Sequence, residues 1–144
     1  MARSKPATKV RWKAAPDEHD YPAAASYLSL VAADALITRI VDELRAAPTV
    51  HYKAKDILRA ARLDLLPRTN VHVAADLSAV ARRERLSPIL LVRGSLSDDV
   101  PLQVADGYHR VCASYYVDEN TAIPCRLSTA ERAPRKTTRA PRAP

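Results

Sequence analysis

The apolar residues between positions 22 and 47 recur every three to four residues, which is the spacing of one face of an α-helix. They are Tyr27, Leu30, Val31, Ile37, Val41 and Leu44, with Leu28, Leu36 and Ile40 widening the face. Pro22 suits the first turn of a helix, and Pro48 cannot continue one. The pattern therefore predicts a single, well-buried helix over residues 22–47.

After Pro48 the pattern changes to short apolar segments separated by turn residues. They predict strands at residues 49–52, 88–93, 101–105 and 123–127, and helices at residues 55–61, 70–86 and 109–117. Asn70 is the predicted N-cap of its helix, and Arg82, Arg83 and Arg85 are predicted in the last turn of that helix. The order of elements predicts an α/β (α+β) domain: a small mixed sheet with flanking helices and no internal repeat.

The net charge of +7 is concentrated at the two ends of the chain. Residues 1–20 carry five basic and three acidic side chains, residues 128–144 carry five and one, and residues 21–127 carry 13 and 12. Because the ends also hold few large apolar residues, they are predicted to be disordered basic arms. The folded domain is then residues 21–127, with an added N-terminal helix at 21–48 and a core at 49–127.

Basic arms attract phosphate backbones without reading their sequence. Trp12, among Lys9, Arg11 and Lys13, also offers a ring that can stack on a base. DNA or RNA is therefore one expected partner, while arms of this kind can equally serve solubility alone.

The sequence also bears on where the protein is found. No apolar run approaches the length of a membrane span, and the N-terminal residues lack the apolar stretch of a secretory signal. The two cysteines, Cys112 and Cys125, form neither a disulfide framework nor a metal-ligand pattern. We therefore expect a reducing, cytoplasmic setting and no membrane partner.

The segment Asp106-Gly-Tyr-His-Arg110 lies between a predicted strand and a predicted helix. Free N–H groups at the start of a helix, with the helix dipole behind them, attract anions. Gly107 is one of only two glycines in the chain and lets the backbone turn sharply close to a ligand. The segment thus predicts a phosphate site in which Arg110 grips the phosphate, His109 donates a hydrogen bond or moves a proton, and Asp106 holds Mg²⁺.

A purely structural interpretation of the same residues is also open, because five-residue motifs often occur by chance. Asp106 would then only cap the helix, and Gly107 would only serve the turn. Arg110 would pair with Asp118 or Glu119 on the surface.

Taken together, Ser87-Pro-Ile-Leu-Leu-Val-Arg93, Asp106-Gly-Tyr-His-Arg110 and Ile123-Pro-Cys-Arg-Leu127 resemble the ParB/sulfiredoxin superfamily. The resemblance covers roughly residues 50–127 and is strongest over 87–127. It implies a ParB/sulfiredoxin-like sheet whose strand–loop–helix binds nucleotide phosphates through Gly107, Tyr108, His109 and Arg110. The implied cofactor is a nucleoside triphosphate, CTP or ATP, with Mg²⁺.

Members of this superfamily differ in chemistry. Sulfiredoxins carry a catalytic cysteine directly before the histidine, where this chain has Tyr108, and Cys112 is expected in the core instead. ParB partition proteins bind CTP at this loop but add a helix-turn-helix domain and a dimerisation domain, which these 144 residues do not include. Other relatives are ATP- or ADP-dependent small-molecule kinases or ParB-like nucleases.

Three functions stay open. The first is nucleotide binding at 106–110 combined with nucleic-acid association through the arms. The second is an enzyme, a phosphotransferase, phosphohydrolase or ParB-like nuclease, with His109 as acid/base and Asp106 as the catalytic and metal-binding carboxylate; Asp56 and Asp76 are further candidates for a carboxylate that accepts the substrate proton. The third is a non-catalytic DNA-binding module with a vestigial pocket.

Overall fold

A computed structural model describes residues 8–129, in which a mixed sheet lies between two layers of helices. In chain order the elements are β1 (Arg11–Trp12), α1 (Asp20–Leu28), α2 (Asp34–Ala46), β2 (Val50–Lys53), α3 (Ala54–Ala61), α4 (Val71–Ala81), β3 (Arg85–Leu86), β4 (Ile89–Val92), β5 (Gln103–Asp106), α5 (Tyr108–Val117) and β6 (Ala122–Ser128). The α+β class expected from the sequence is confirmed.

The main sheet has the strand order β2-β6-β4-β5. Strands β4 and β6 run parallel at its centre, while β2 and β5 pair antiparallel at its edges. All four residues of β4 are buried, because this central strand has neighbours on both edges and helices on both faces.

Alternate residues of β4 enter two separate cores, as the two-residue period of a strand requires. Ile89 and Leu91 face α3, α4 and α5, together with Ile123 and Cys125 of β6. Leu90 and Val92 face α1 and α2 on the other side of the sheet. The continuous apolar run of β4 is therefore explained by burial on both faces.

The prediction of one helix over residues 22–47 is wrong, because the segment forms α1 and α2 with a turn between them. Leu30 and Val31 lie in that turn and are exposed, and Ala33 has an extended backbone. A straight helix of this length would span about 39 Å, whereas a four-stranded sheet is only about 20 Å wide, so two short helices cover the sheet better.

No helix in residues 8–129 is long and apolar enough to cross a membrane.

The arginines predicted in the last turn of α4 lie beyond it. The helix ends at Ala81, and Arg82 is its C-cap. Arg83 adopts the left-handed conformation with φ 62°, which redirects the chain so that Arg85 enters β3. The predicted helix 70–86 is thus about one turn too long, because β1 pairs with residues 85 and 86.

Part of the predicted N-terminal arm is ordered. Strand β1 runs parallel to β3, and the backbone N–H of Lys13 donates to the carbonyl of Leu86 at 2.8 Å. The Trp12 ring packs against the core and so does not stand free as a stacking surface. The prediction of disorder is therefore wrong for residues 8–20 and for residues 128–129, where β6 extends to a buried Ser128. The prediction for residues 1–7 and 130–144 lies outside the described residues.

Candidate functional site

The turn between β5 and α5, which holds the predicted phosphate segment, is the centre of the candidate site. Gly107 is the N-cap of α5 and has φ 114°, a conformation that L side chains rarely adopt. A Cβ atom at this position would overlap the Cδ1 atom of Ile89 and would lie 3.1 Å from Nη2 of Arg110. Glycine is thus required both by the backbone turn and by its packing on β4.

No side chain of residues 8–129 caps α5, although the helix begins beside an open cavity. The first N–H groups of a helix have no partner inside the helix, so they remain available to an acceptor from outside. Asp106 does not act as the cap. That part of the structural interpretation of the segment is wrong.

The side chain of Arg110 lies beneath the turn and is held there by two hydrogen bonds. Its Nη2 donates to Oδ2 of Asp106 at 2.9 Å and to the carbonyl of Pro88 at 3.3 Å, and both charged side chains are only 17% exposed. The expected surface pairing of Arg110 with Asp118 or Glu119 is wrong. Nε of Arg110 is buried with no hydrogen-bond partner among residues 8–129, so this side chain retains an unsatisfied donor.

Asp20 is a buried member of the site that sequence reasoning assigned to a disordered arm. It is only 2% exposed at the start of α1, where its Oδ2 accepts from the backbone N–H of Asp17 at 2.9 Å. Asp20 also raises the pKa of the Asp106 carboxyl group, so the two carboxyl groups interact. The one sequence signal was an acidic residue directly before the helix start at Tyr21-Pro22.

The pKa of Asp106 is raised above its ordinary value of 3.8. Burial is the main cause, and Asp20 acts in the same direction. The hydrogen bond and positive charge of Arg110 oppose both effects. Asp106 is thus a carboxyl group whose proton affinity is set by opposing neighbours.

Helix α4 contributes His72 and Asp76 to the same site. The rings of His72 and His109 have centroids 4.7 Å apart, at an interplanar angle of 44°. The sequence analysis gave His72 no role in the site, and it named Asp76 only as a further candidate for the carboxylate that accepts the substrate proton. Their spacing of four residues, which places both on one face of a helix, was the available signal.

The charges of these groups influence one another. Burial lowers the pKa of His109, His72 and Arg110 lower it further, and Asp76 acts in the opposite direction. Burial raises the pKa of Asp76 against the attraction of Arg110, His109 and His72. An acid with a raised pKa thus lies near a base with a lowered pKa, an arrangement suited to proton transfer.

A cavity of about 420 Å³ lies between α1, β5 and the turn. Asp106, Gly107, Tyr108 and His109 line one part of it, but Arg110 does not. Another part is lined by Tyr27, whose hydroxyl donates to Oε1 of Gln103 at 2.5 Å. The cavity therefore joins the uncapped start of α5 to an amide and a phenol that can recognise a polar ring.

Tyr108 forms a wall of this cavity and is held in place. Its hydroxyl donates to the carbonyl of Asp64 at 2.6 Å, and its ring stacks on His109 with centroids 5.8 Å apart. The stacking limits where the His109 imidazole can move.

The immediate surroundings of Asp106 fit a Mg²⁺ ion poorly. Arg110 already supplies positive charge to this carboxyl group, and burial and Asp20 raise its pKa, which disfavours the ionised form that Mg²⁺ requires. The group in residues 8–129 whose ligand atoms lie close enough for a metal ion is Asp17, His19 and Asp20, within 4.8 Å of one another. Asp17 is also paired with the Lys13 ammonium at 2.9 Å, and Asp106 is not in the group.

Cys112 is buried in the core, as expected, and so is Cys125. Burial raises the pKa of both thiols, that of Cys125 to about 12, so neither is a reactive thiolate. Asp56 lies on α3 and lines a different cavity. Asp56 is therefore not a carboxylate of this site.

No family model, curated protein or solved structure matches the chain. The function is therefore inferred from the geometry of the turn, the cavity and the charged cluster.

Proposed function

We propose that this domain binds a nucleotide, CTP or ATP, through its phosphates at residues 106–110. The observation that carries the proposal is the uncapped start of α5, which opens into the 420 Å³ cavity. The start of a helix, with its free N–H groups and the positive end of the helix dipole, can bind phosphate without a basic side chain. The volume lies within the range typical of small-molecule sites.

Each residue of the segment has a proposed role. Gly107 gives the turn, and the N–H groups that follow it bind phosphate oxygens, with His109 as an additional donor. Tyr27 and Gln103 contact the base or sugar. Arg110 acts as a positioning residue, because its guanidinium holds Asp106 and the Pro88 carbonyl under the turn.

Calorimetric titration with CTP, ATP, ADP and GTP, with and without Mg²⁺, tests the proposal. We expect one nucleotide to bind selectively, and His109→Ala to weaken it about tenfold through loss of one charge-assisted hydrogen bond. Ser97→Ala, an exposed change in the 94–101 loop outside the cavity, is the matched control. Absence of binding by all four nucleotides, or equal binding by wild type and His109→Ala, would contradict the assignment.

The cluster of His72, His109 and Asp76 supports a second candidate, a phosphotransferase or phosphohydrolase. His109 would move the proton, and Asp76 would orient and charge-balance it. Release of inorganic phosphate from the bound nucleotide, lost in His109→Gln while binding is retained, would establish the enzyme. Binding without turnover would leave a nucleotide-binding module.

The pairing of β1 with β3 supports a proposal of nucleic-acid association. This pairing places Arg11 of the basic N-terminal segment beside the sequence Arg82-Arg83, where its Nη1 donates to the carbonyl of Arg83 at 3.2 Å. Arg85 lies in the paired strand and is also exposed. We propose that this basic surface, together with the chain ends, binds DNA or RNA through phosphate contacts.

The salt dependence of binding to a duplex DNA of arbitrary sequence tests this part separately. A double variant, Arg83→Gln with Arg85→Gln, is expected to reduce the slope of log K against log salt by about two. Arg59→Gln with Arg39→Gln removes the same charge elsewhere and serves as the control. An unchanged slope in the first double variant would exclude the β1–β3 surface.

A further inference from the structure

A second cavity, of about 470 Å³, lies between α3, the carboxyl ends of β4 and β6, and the loop of residues 94–101. Its floor is apolar and consists of Ile57, Leu91, Leu102 and Leu127. Ile57 and Leu91 are at most 2% exposed, so they belong to the rigid core. Leu102 also lines the cavity at Gly107.

The walls of this second cavity are fixed by the fold. Backbone hydrogen bonds of 2.8 Å in both directions join Ser95 to Val100 and close the loop at its base. Gly94 lies so close to the backbone of Val100 and Pro101 that no side chain would fit there. The N–H of Leu102 donates to the carbonyl of Ala60 at 3.1 Å, which ties the loop to α3. The cavity is thus preformed.

The rim carries arginines that differ in their pairing. Arg62 is paired with Asp99, and Arg59 lies 3.5 Å from Asp56. The guanidinium of Arg93 has no hydrogen-bond or ion-pair partner in the part of the chain that the structure describes. The rim therefore offers one unneutralised cation next to an apolar floor.

Two further side chains suit a ligand of mixed character. The Tyr52 hydroxyl, 41% exposed, also has no partner within residues 8–129, and it lines the cavity with Arg93. Leu96 at the tip of the loop is fully exposed and lines the same cavity. A fully exposed leucine lacks the stabilisation that burial would provide, and an apolar ligand would recover part of it.

We propose that this cavity is a binding site for a small apolar carboxylate. Its hydrocarbon or aromatic body lies on the leucine floor, and its carboxylate accepts hydrogen bonds from Arg93 and Tyr52. A singly charged, planar head group matches one free guanidinium, whereas a phosphate dianion would call for more unpaired cations than the rim provides. The site is independent of the nucleotide proposal, because Arg93 does not line the cavity at Gly107.

Calorimetric titration of the full chain with decanoate tests this site, with decanol as the uncharged analogue of the same length. We expect saturable binding of one decanoate and at least about tenfold weaker binding of decanol. Arg93→Gln should weaken decanoate binding by about tenfold, whereas Lys55→Gln should not change it. Lys55 is an exposed cation of the same helix α3 that does not line the cavity.

A second variant and a second measurement locate the bound molecule. Ala60→Phe places a ring into the cavity from the exposed face of α3 and should abolish decanoate binding. The amide resonances of Gly94 and Ser95 should shift on titration, while that of Gly107 should not. Equal affinity for decanoate and decanol, unchanged binding by Arg93→Gln, or the absence of saturable binding would each overturn the proposal.

Discussion

Asp20, at the start of α1, raises the pKa of Asp106, at the end of β5. The charge of Asp20 opposes ionisation of Asp106 and adds to the larger effect of burial, so Asp106 retains its proton more firmly than an isolated carboxyl group. The added N-terminal helix therefore reaches the chemistry of the 106–110 turn directly.

Asp20→Asn is expected to make folding less dependent on pH. Because the pKa of Asp106 is raised in the folded protein, this group contributes stability that is fully present below its unfolded pKa of 3.8 and is lost as the pH rises through its folded pKa. An asparagine at position 20 carries no negative charge, which removes one cause of the raised pKa of Asp106 but leaves burial.

Urea unfolding from about pH 4 upward measures this effect. The variant should lose less stability with rising pH than wild type does, and should be more stable near neutrality by about 1 kcal/mol. Asp17→Asn is the matched control, because Asp17 interacts with Lys13 and not with Asp106. If the free energy of unfolding depended on pH in the same way in wild type and Asp20→Asn, Asp20 would have no effect on the pKa of Asp106.

Gly107→Ala should destabilise the protein by about 2–3 kcal/mol, through both the positive φ and the overlap with Ile89. Ile89→Val removes the Cδ1 atom that the new Cβ would meet, at a cost of its own of about 1 kcal/mol. The double variant should therefore be more stable than the sum of the single changes implies, as measured by a double-mutant cycle in urea. Strict additivity would mean that the overlap is relieved in another way.

The titration of His109 should respond in opposite directions to its two charged neighbours on α4. Its pKa is lowered below 6.5, so its stability contribution is present above that value and is lost as the pH falls through the folded pKa. His72→Gln should move the NMR midpoint of His109 upward, and Asp76→Asn should move it downward. Shifts of the same sign in both variants would contradict the arrangement.

Arg83→Gly should stabilise the protein by about 1 kcal/mol. Arg83 has φ 62° after α4, where a side chain is strained and glycine is not. Arg83→Ala removes the same charged side chain but keeps the Cβ atom, so it should give no comparable gain. The thermal midpoints of the two variants separate backbone strain from the loss of a positive charge.

The local pattern of apolar and polar residues was sufficient to predict most of the helices and strands of the domain. The apolar run at 88–93 forms β4, and the side-chain oxygen of Asn70 accepts from the N–H groups of His72 and Val73 as a predicted N-cap does. The break between α1 and α2 could not be predicted, because it depends on the width of a sheet that forms elsewhere in the chain. Strand β1 has only two residues, and its partner lies 74 positions further along the chain.

The site also combines residues that are close in the sequence with residues that only the fold brings together. Gly107, Tyr108, His109 and Arg110 lie on one strand–turn–helix, and the sequence placed them there correctly. Asp20 and Asp76 approach that turn only after α1 and α4 have packed, and no local spacing links either residue to it. The partner of Arg110 was also missed, because the side chain turns back to Asp106 instead of forward along α5.

The two cysteines have a consequence for experiments on folding. Cys112 on α5 and Cys125 on β6 are both 0% exposed, and they belong to the same core. A thiol-reactive dye can reach them only when that core opens. The rate of thiol labelling in native buffer therefore reports how often the core opens, without the introduction of a foreign label site.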